Sequence, residues 1–165
     1  SKGDTPLVYH KSKLNQLPST LDRGLSEEDK KEIEQLKKRD LEVKRHEQAH
    51  ASTGGRYTGS PSYQYETAPN GTRYAIDGEV PIDLTEVANN PQATIDKMKQ
   101  VYRAALAPLE PSSADRNIAS QAQQTITTAR TELANEHEEE KETEEAQQTE
   151  SVSRSLLKHP KTFKI

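Results

Sequence analysis

His46-Glu47-Gln48-Ala49-His50 lies near the end of a stretch that opens at Ser26-Glu27-Glu28-Asp29 and closes at Gly54-Gly55. Ser26 suits an N-cap, the three acids after it suit the positive end of a helix, and Ser26-x-x-Asp29 resembles a capping box. At 100° per residue, Ile33, Leu36, Asp40, Val43, His46, Glu47 and His50 share an arc of roughly 140°. The spacing therefore predicts one amphipathic helix whose inward face carries both histidines. Glycine just past the last periodic residue is the usual way to stop such a helix.

Two histidines four residues apart on a helix stand about 5–6 Å from one another at Cβ. Their neutral ring nitrogens can hold one zinc ion, and Glu47 is placed to reach a water in an open coordination position. The metal lowers the pKa of that water, and a carboxylate base takes its proton. His46, His50 and Glu47 are thus the candidate metal ligands and general base of a zinc peptidase. The bland alternative is a solvated helix face that happens to carry two histidines.

Composition narrows the remaining choices. The chain has 165 residues, of which 30% are hydrophobic, 4% aromatic and 30% charged. Mean hydropathy is -1.05, so much of the chain is solvated, and one small domain is the most it can fold. A core without Trp and with one Phe and one Met has little to bury, and a bound metal would add to its stability. The absence of Cys leaves only His and carboxylate ligands. No basic stripe with interleaved aromatics is present, so nucleic acid is not an expected partner. No apolar run approaches a membrane span and no signal-peptide core is visible. A soluble protein is expected, with a cytoplasmic location slightly favoured and the oligomeric state open.

Beyond the motif the period changes. Ser62 to Glu66 and Thr72 to Ile76 alternate as strands do, and Ala68-Pro69-Asn70-Gly71 between them predicts a hairpin. Gly78 to Asp83 continues as an extended segment, with a turn over Thr85 to Ala88. Asn90-Pro91 marks a second helix, with the stripe Ile95, Met98, Tyr102, Ala105 and Leu109. A third begins at Pro111-Ser112-Ser113 with Asp115 in its first turn and the stripe Ile118, Ala122, Ile126, Ala129 and Leu133. Glu136 to Glu150 holds eight Glu and one Lys, and reads as a solvated helix extension or as disorder. The basic end, with Leu156, Leu157, Phe163 and Ile165, is expected to be a disordered terminus, or else a docking segment.

The expected fold class is α+β and mostly helical: the motif helix, a β-hairpin, two further helices and disordered termini. Residues 1–25 are expected to be an extended arm or linker, 26–135 a zinc metallopeptidase-like domain, and 136–165 an acidic and then basic tail expected to be disordered.

A catalytic zinc normally takes a third protein ligand. The longer histidine pattern is absent, since Thr53 and Arg56 stand where Gly and a third His would be. His137 lies in the acidic run, so a carboxylate is required. Glu79 is the leading candidate because the hairpin returns toward the helix after Ile76; Asp83 and Asp77 are the alternatives. Tyr65, Arg73 and Tyr74 are candidates to stabilise an oxyanion, although packing within the hairpin is the preferred reading of each. Asp40 either orients a ligand His or binds an arginine such as Arg73 or Arg116 behind the site, or forms a helix salt bridge with Lys37 or Lys44.

Several blocks in order resemble the bacterial SprA-related family. They are Arg39 to Val43, the His46 to His50 motif, Pro61 to Tyr65, Asn70 to Ala75, Gly78-Glu79-Val80, Ala93 to Met98 and Ala104 to Pro108. The resemblance covers about residues 36–125. It implies a bacterial protein and a zinc metalloprotease acting on a protein or peptide substrate. It supports His46, Glu47 and His50 as site residues, and Glu79 as the acidic residue of a shared block. The competing expectation is a zinc-stabilised interaction module without turnover. A third is an enzyme held inactive by its own tail.

Overall fold

The structure, a computed structural model, describes residues 24–158. The elements are α1 (Glu27–Gly54), a 3-10 turn (Gly55–Tyr57), β1 (Ser62–Thr67), β2 (Arg73–Glu79), α2 (Pro91–Ala105) and α3 (Ser113–Lys158). This is the expected α+β fold. The predicted arm over 1–25 lies outside the described residues except for Gly24 and Leu25, and Phe163 and Ile165 lie outside them too. Among the described residues no helix is long and apolar enough to cross a membrane.

The described residues form two compact units, one of residues 24–45 and 62–79 and one of residues 46–61 and 80–158. In the first, the capping box opens α1 as predicted. The Asp29 N–H donates to Ser26 Oγ at 3.0 Å, and the Ser26 N–H donates to Asp29 Oδ2 at 3.0 Å. Ile33, Leu36 and Ala68 form a small core, with Leu25, Tyr74 and Ile76 packed on it. The hairpin closes through the Ala68 N–H to the Thr72 carbonyl at 2.8 Å, with Gly71 at φ 80°, a conformation that suits glycine.

The β1–β2 ladder is irregular. Gln64 faces Asp77 and Tyr65 faces Ala75, which leaves Ile76 as the extra residue of a bulge. Side chains of α1 take up the backbone groups beside it: Asp40 Oδ1 accepts the Ala75 N–H at 2.8 Å, and Arg39 Nε donates to the Ile76 carbonyl at 2.9 Å. Asp40 also pairs with Lys44 at 2.9 Å. Burial raises its pKa, but the Ala75 N–H and Lys44 outweigh that and hold the carboxyl below its usual range. Of the two roles expected for Asp40, the Lys44 salt bridge is present. The bond to Ala75 is a tertiary contact that the local sequence does not encode.

In the second unit, Ile95, Met98 and Val101 of α2 pack on Ala122, Ile126 and Ala129 of α3. The alanines let the helices approach closely, and Met98 and Val101 are the largest side chains fully buried. Asn90 caps α2 by accepting the Ala93 N–H at 3.0 Å, with Pro91 following it as expected. The predicted α2 stripe needs two corrections. Val101 rather than Tyr102 faces the core, and Leu109 is fully exposed because α2 ends at Ala105. Buried Lys97 ties the preceding loop to α2, with Asp83 Oδ2 at 2.9 Å, the Thr85 carbonyl as acceptor and the Tyr57 ring beneath its ammonium group.

α3 departs most from the expectation for the tail. It continues as helix through the acidic run to Lys158, so residues 136–158 are the solvated extension rather than disorder. Glu, Gln, Ala and Lys are strong helix formers, and no Gly or Pro interrupts them. Every residue from Ala134 to Lys158 is exposed.

Candidate metal centre

The site lies within the second unit. His46 and His50 occupy the last turns of α1, whose end is fixed by Gln100: its side-chain amide donates to the Thr53 and Gly54 carbonyls at 3.3 and 3.2 Å. Gly54 has no room for a side chain, since a Cβ there would stand 2.1 Å from Thr58 Cγ2. The helix end is therefore held in place, and the two rings with it.

His50 is 7% exposed, and its Nδ1 lies 2.8 Å from the Ala104 carbonyl oxygen. A carbonyl can only accept, so Nδ1 carries the proton and donates it. When the ring is neutral, Nε2 is then the nitrogen that presents a lone pair. That lone pair faces His46 Nε2 at 3.1 Å and Asp115 Oδ1 at 3.2 Å. Asp115 Oδ2 lies 3.1 Å from His46 Nε2. An imidazole lone pair and a carboxylate oxygen at that distance repel unless a proton or a cation lies between them.

Asp115 sits in the first turn of α3 and completes a second capping box. Its N–H donates to Ser112 Oγ at 3.1 Å, and its Oδ2 accepts the Ser112 N–H at 2.8 Å. Burial raises the Asp115 pKa, but the Ser112 bonds and the two histidines outweigh it and hold the carboxyl below its usual range. The helix N-terminus also favours the anion. The ionised carboxylate favoured in this way is the form that can bind a cation.

His46, His50 and Asp115 are the one group of three or more potential ligands among the described residues, with ligand atoms within 4.8 Å of one another. Tetrahedral zinc with bonds of 2.0–2.1 Å holds its ligand atoms roughly 3.3 Å apart. The two Nε2 atoms stand 3.1 Å apart and each lies 3.1 to 3.2 Å from a different Asp115 oxygen, with one ligand atom from each residue within 4.8 Å of the others, so the group is of a size that could close on a metal ion. The Ala104 carbonyl on the far nitrogen of His50 is the kind of orienting partner that metal-bound imidazoles have.

Three of the predicted site residues are found here. His46 and His50 are in the group, and Glu47, 7% exposed, follows His46 on the same helix turn. Glu79 is not a member: it lies in the other unit, exposed at the end of β2 and paired with Ser62. The carboxylate of the group is Asp115. Of the alternatives, exposed Asp77 accepts the Gly78 N–H at 2.9 Å, and Asp83 is bound to Lys97. Arg73 and Tyr74 belong to the hairpin. Arg73 stacks over the Tyr65 ring at 5.0 Å, and Tyr74 accepts from Asn70 Nδ2 at 3.3 Å while packing on the Ile33 and Leu36 core.

A model of the SprA-related family matches residues 13–153. No curated protein and no solved structure matches the chain. The match spans the motif, the hairpin, α2 and most of α3, and by it the chain belongs to the SprA-related family.

Proposed function

We propose that the protein is a zinc-dependent peptidase in which His46, His50 and Asp115 hold the metal and Glu47 is the general base. The observation that supports this most is the convergence of the two Nε2 atoms and the Asp115 carboxylate, with a buried glutamate next to His46 in the chain. Two imidazoles and one carboxylate form a ligand set that catalytic zinc uses, with one position left for water.

Bound there, zinc would supply Lewis acidity and bring the pKa of a water near neutrality. The residues of the chain do the rest. The Ala104 carbonyl fixes the tautomer of His50, and Ser112 keeps the Asp115 carboxylate ionised and aimed. Glu47 accepts the proton of the attacking water at its carboxylate and returns it to the leaving amine.

The second reading is a metal-stabilised interaction module, favoured by a core whose largest fully buried side chains are Met98 and Val101. Glu47→Gln separates the two. In a peptidase it keeps zinc content and melting temperature but loses casein hydrolysis by about 100-fold or more, as expected on removal of a general base. Unchanged hydrolysis, or none above a chelator-treated blank in the zinc-loaded wild type, would rule the peptidase out.

A further inference from the structure

We propose that Ser112 is a positioning residue of the metal centre, setting zinc affinity by locking Asp115 through the capping box. The proposal rests on the metal reading above.

Asp115 faces competing demands. Its Oδ2 accepts the Ser112 N–H at 2.8 Å and stands 3.1 Å from His46 Nε2, while Oδ1 stands 3.2 Å from His50 Nε2. Its own N–H is tied back to Ser112 Oγ at 3.1 Å. These two bonds fix the backbone that carries the carboxylate and one of its oxygens. The carboxylate held in this way presents Oδ2 to His46 and Oδ1 to His50. An aspartate free to rotate would have to be ordered each time a metal bound, and affinity would fall accordingly. Pro111, with its fixed φ, restricts the chain just before the box.

The chain contains its own control. Ser26 and Asp29 form the same reciprocal box at the start of α1, with both bonds at 3.0 Å, and neither is in the ligand group. Any effect that Ser112 has through helix stability alone, Ser26 should have as well.

The test is zinc titration of the metal-free full chain against a chromophoric chelator, with thermal melting of every variant. Ser112→Ala should weaken zinc binding by about tenfold, the low end for partners that orient a metal ligand. Ser112→Thr should restore it. Ser112→Gly preserves most of the capping energy but has no hydroxyl, so it should fold like the wild type and still bind zinc more weakly. Ser26→Ala should lower the melting temperature and leave zinc affinity unchanged. Wild-type affinity in both Ser112→Ala and Ser112→Gly overturns the proposal, and so does an equal loss in Ser26→Ala. A wild-type chain that binds no zinc overturns the metal reading itself, and this proposal with it.

Discussion

α1 and α3 begin with the same four-residue device, yet only one of the two aspartates joins a site. Ser26–Asp29 and Ser112–Asp115 make matching pairs of bonds, between 2.8 and 3.1 Å. Asp29 serves the helix start. Asp115 serves the helix start and also faces two histidines. Local sequence decides how a helix begins, because the cap needs only neighbours three residues apart. Packing decides what else a capping carboxylate does. The sharpest way to break this contrast is to remove each acid in turn. Asp115→Ala should lower zinc affinity by more than about 100-fold, beyond the loss typical of an outer partner. Asp29→Ala should leave affinity unchanged and cost about 1 kcal/mol of stability, as cap losses do. Equal zinc affinity in the two variants would remove Asp115 from the centre. Glu79→Ala, expected to bind zinc as tightly as the wild type, checks the same assignment from the other side.

The contrast also shows what the sequence could disclose. His46, Glu47 and His50 were legible because a helix places residues four apart on one face whatever the rest of the chain does. The hairpin was legible from Pro69-Asn70-Gly71, and the start of α2 from Asn90-Pro91. Asp115 was visible as a first-turn acid but not as a ligand candidate, because it meets His46 across 69 residues of sequence. No local signal encodes a contact that depends on how α2 and α3 fold back on the end of α1. The usable clue was chemical: an ionised, capped aspartate after a loop rich in proline. Glu79 looked better because the hairpin returns toward the helix, but the side chain ends exposed at the mouth of the ladder. Asp40 was half legible, since its Lys44 partner is four residues away, whereas the Ala75 N–H it accepts depends on the bulge.

The Ser112 box also has an electrostatic side. Asp115 has a pKa held below its usual range. A carboxyl depressed in the folded state adds stability above its unfolded pKa and loses it as pH falls through the folded value. The sign is the same for Asp83, held down to about 2 by the Thr85 N–H and then by Lys97. Metal-free protein should therefore lose stability progressively as pH drops below about 4. Melting temperatures of metal-free wild type, Asp83→Asn and Asp115→Asn should differ at pH 6 and draw together toward pH 2. A gap that persists at pH 2 would show that these carboxylates act through packing rather than charge.

The smallest effect is expected at the far end of α3. The box at Ser112 opens a helix that packs on α2 as far as Leu133, after which every residue is exposed to Lys158. Glu136 and Glu140, Glu140 and Glu144, and Glu138 and Glu142 stand four apart, where like charges cost a few tenths of a kcal/mol each. Arg154 with Glu150, at 2.7 Å, opposes this near the end. The extension therefore holds its helix by intrinsic propensity against its own charge, and contributes little to the packed core. Cutting the chain after residue 135 should lower the far-UV helical signal, shift the melting temperature by no more than a few degrees and leave zinc affinity within about twofold, since no member of the site or of either box is removed. Salt screens the repulsion, so the helical signal lost on truncation should be larger at 0.5 M salt than at 0.02 M. Casein hydrolysis should be the same for the cut and the full chain. A rise on cutting would instead make the tail an inhibitor of the centre, and the effect of α3 on the site would then come from its far end as well as from its capped start.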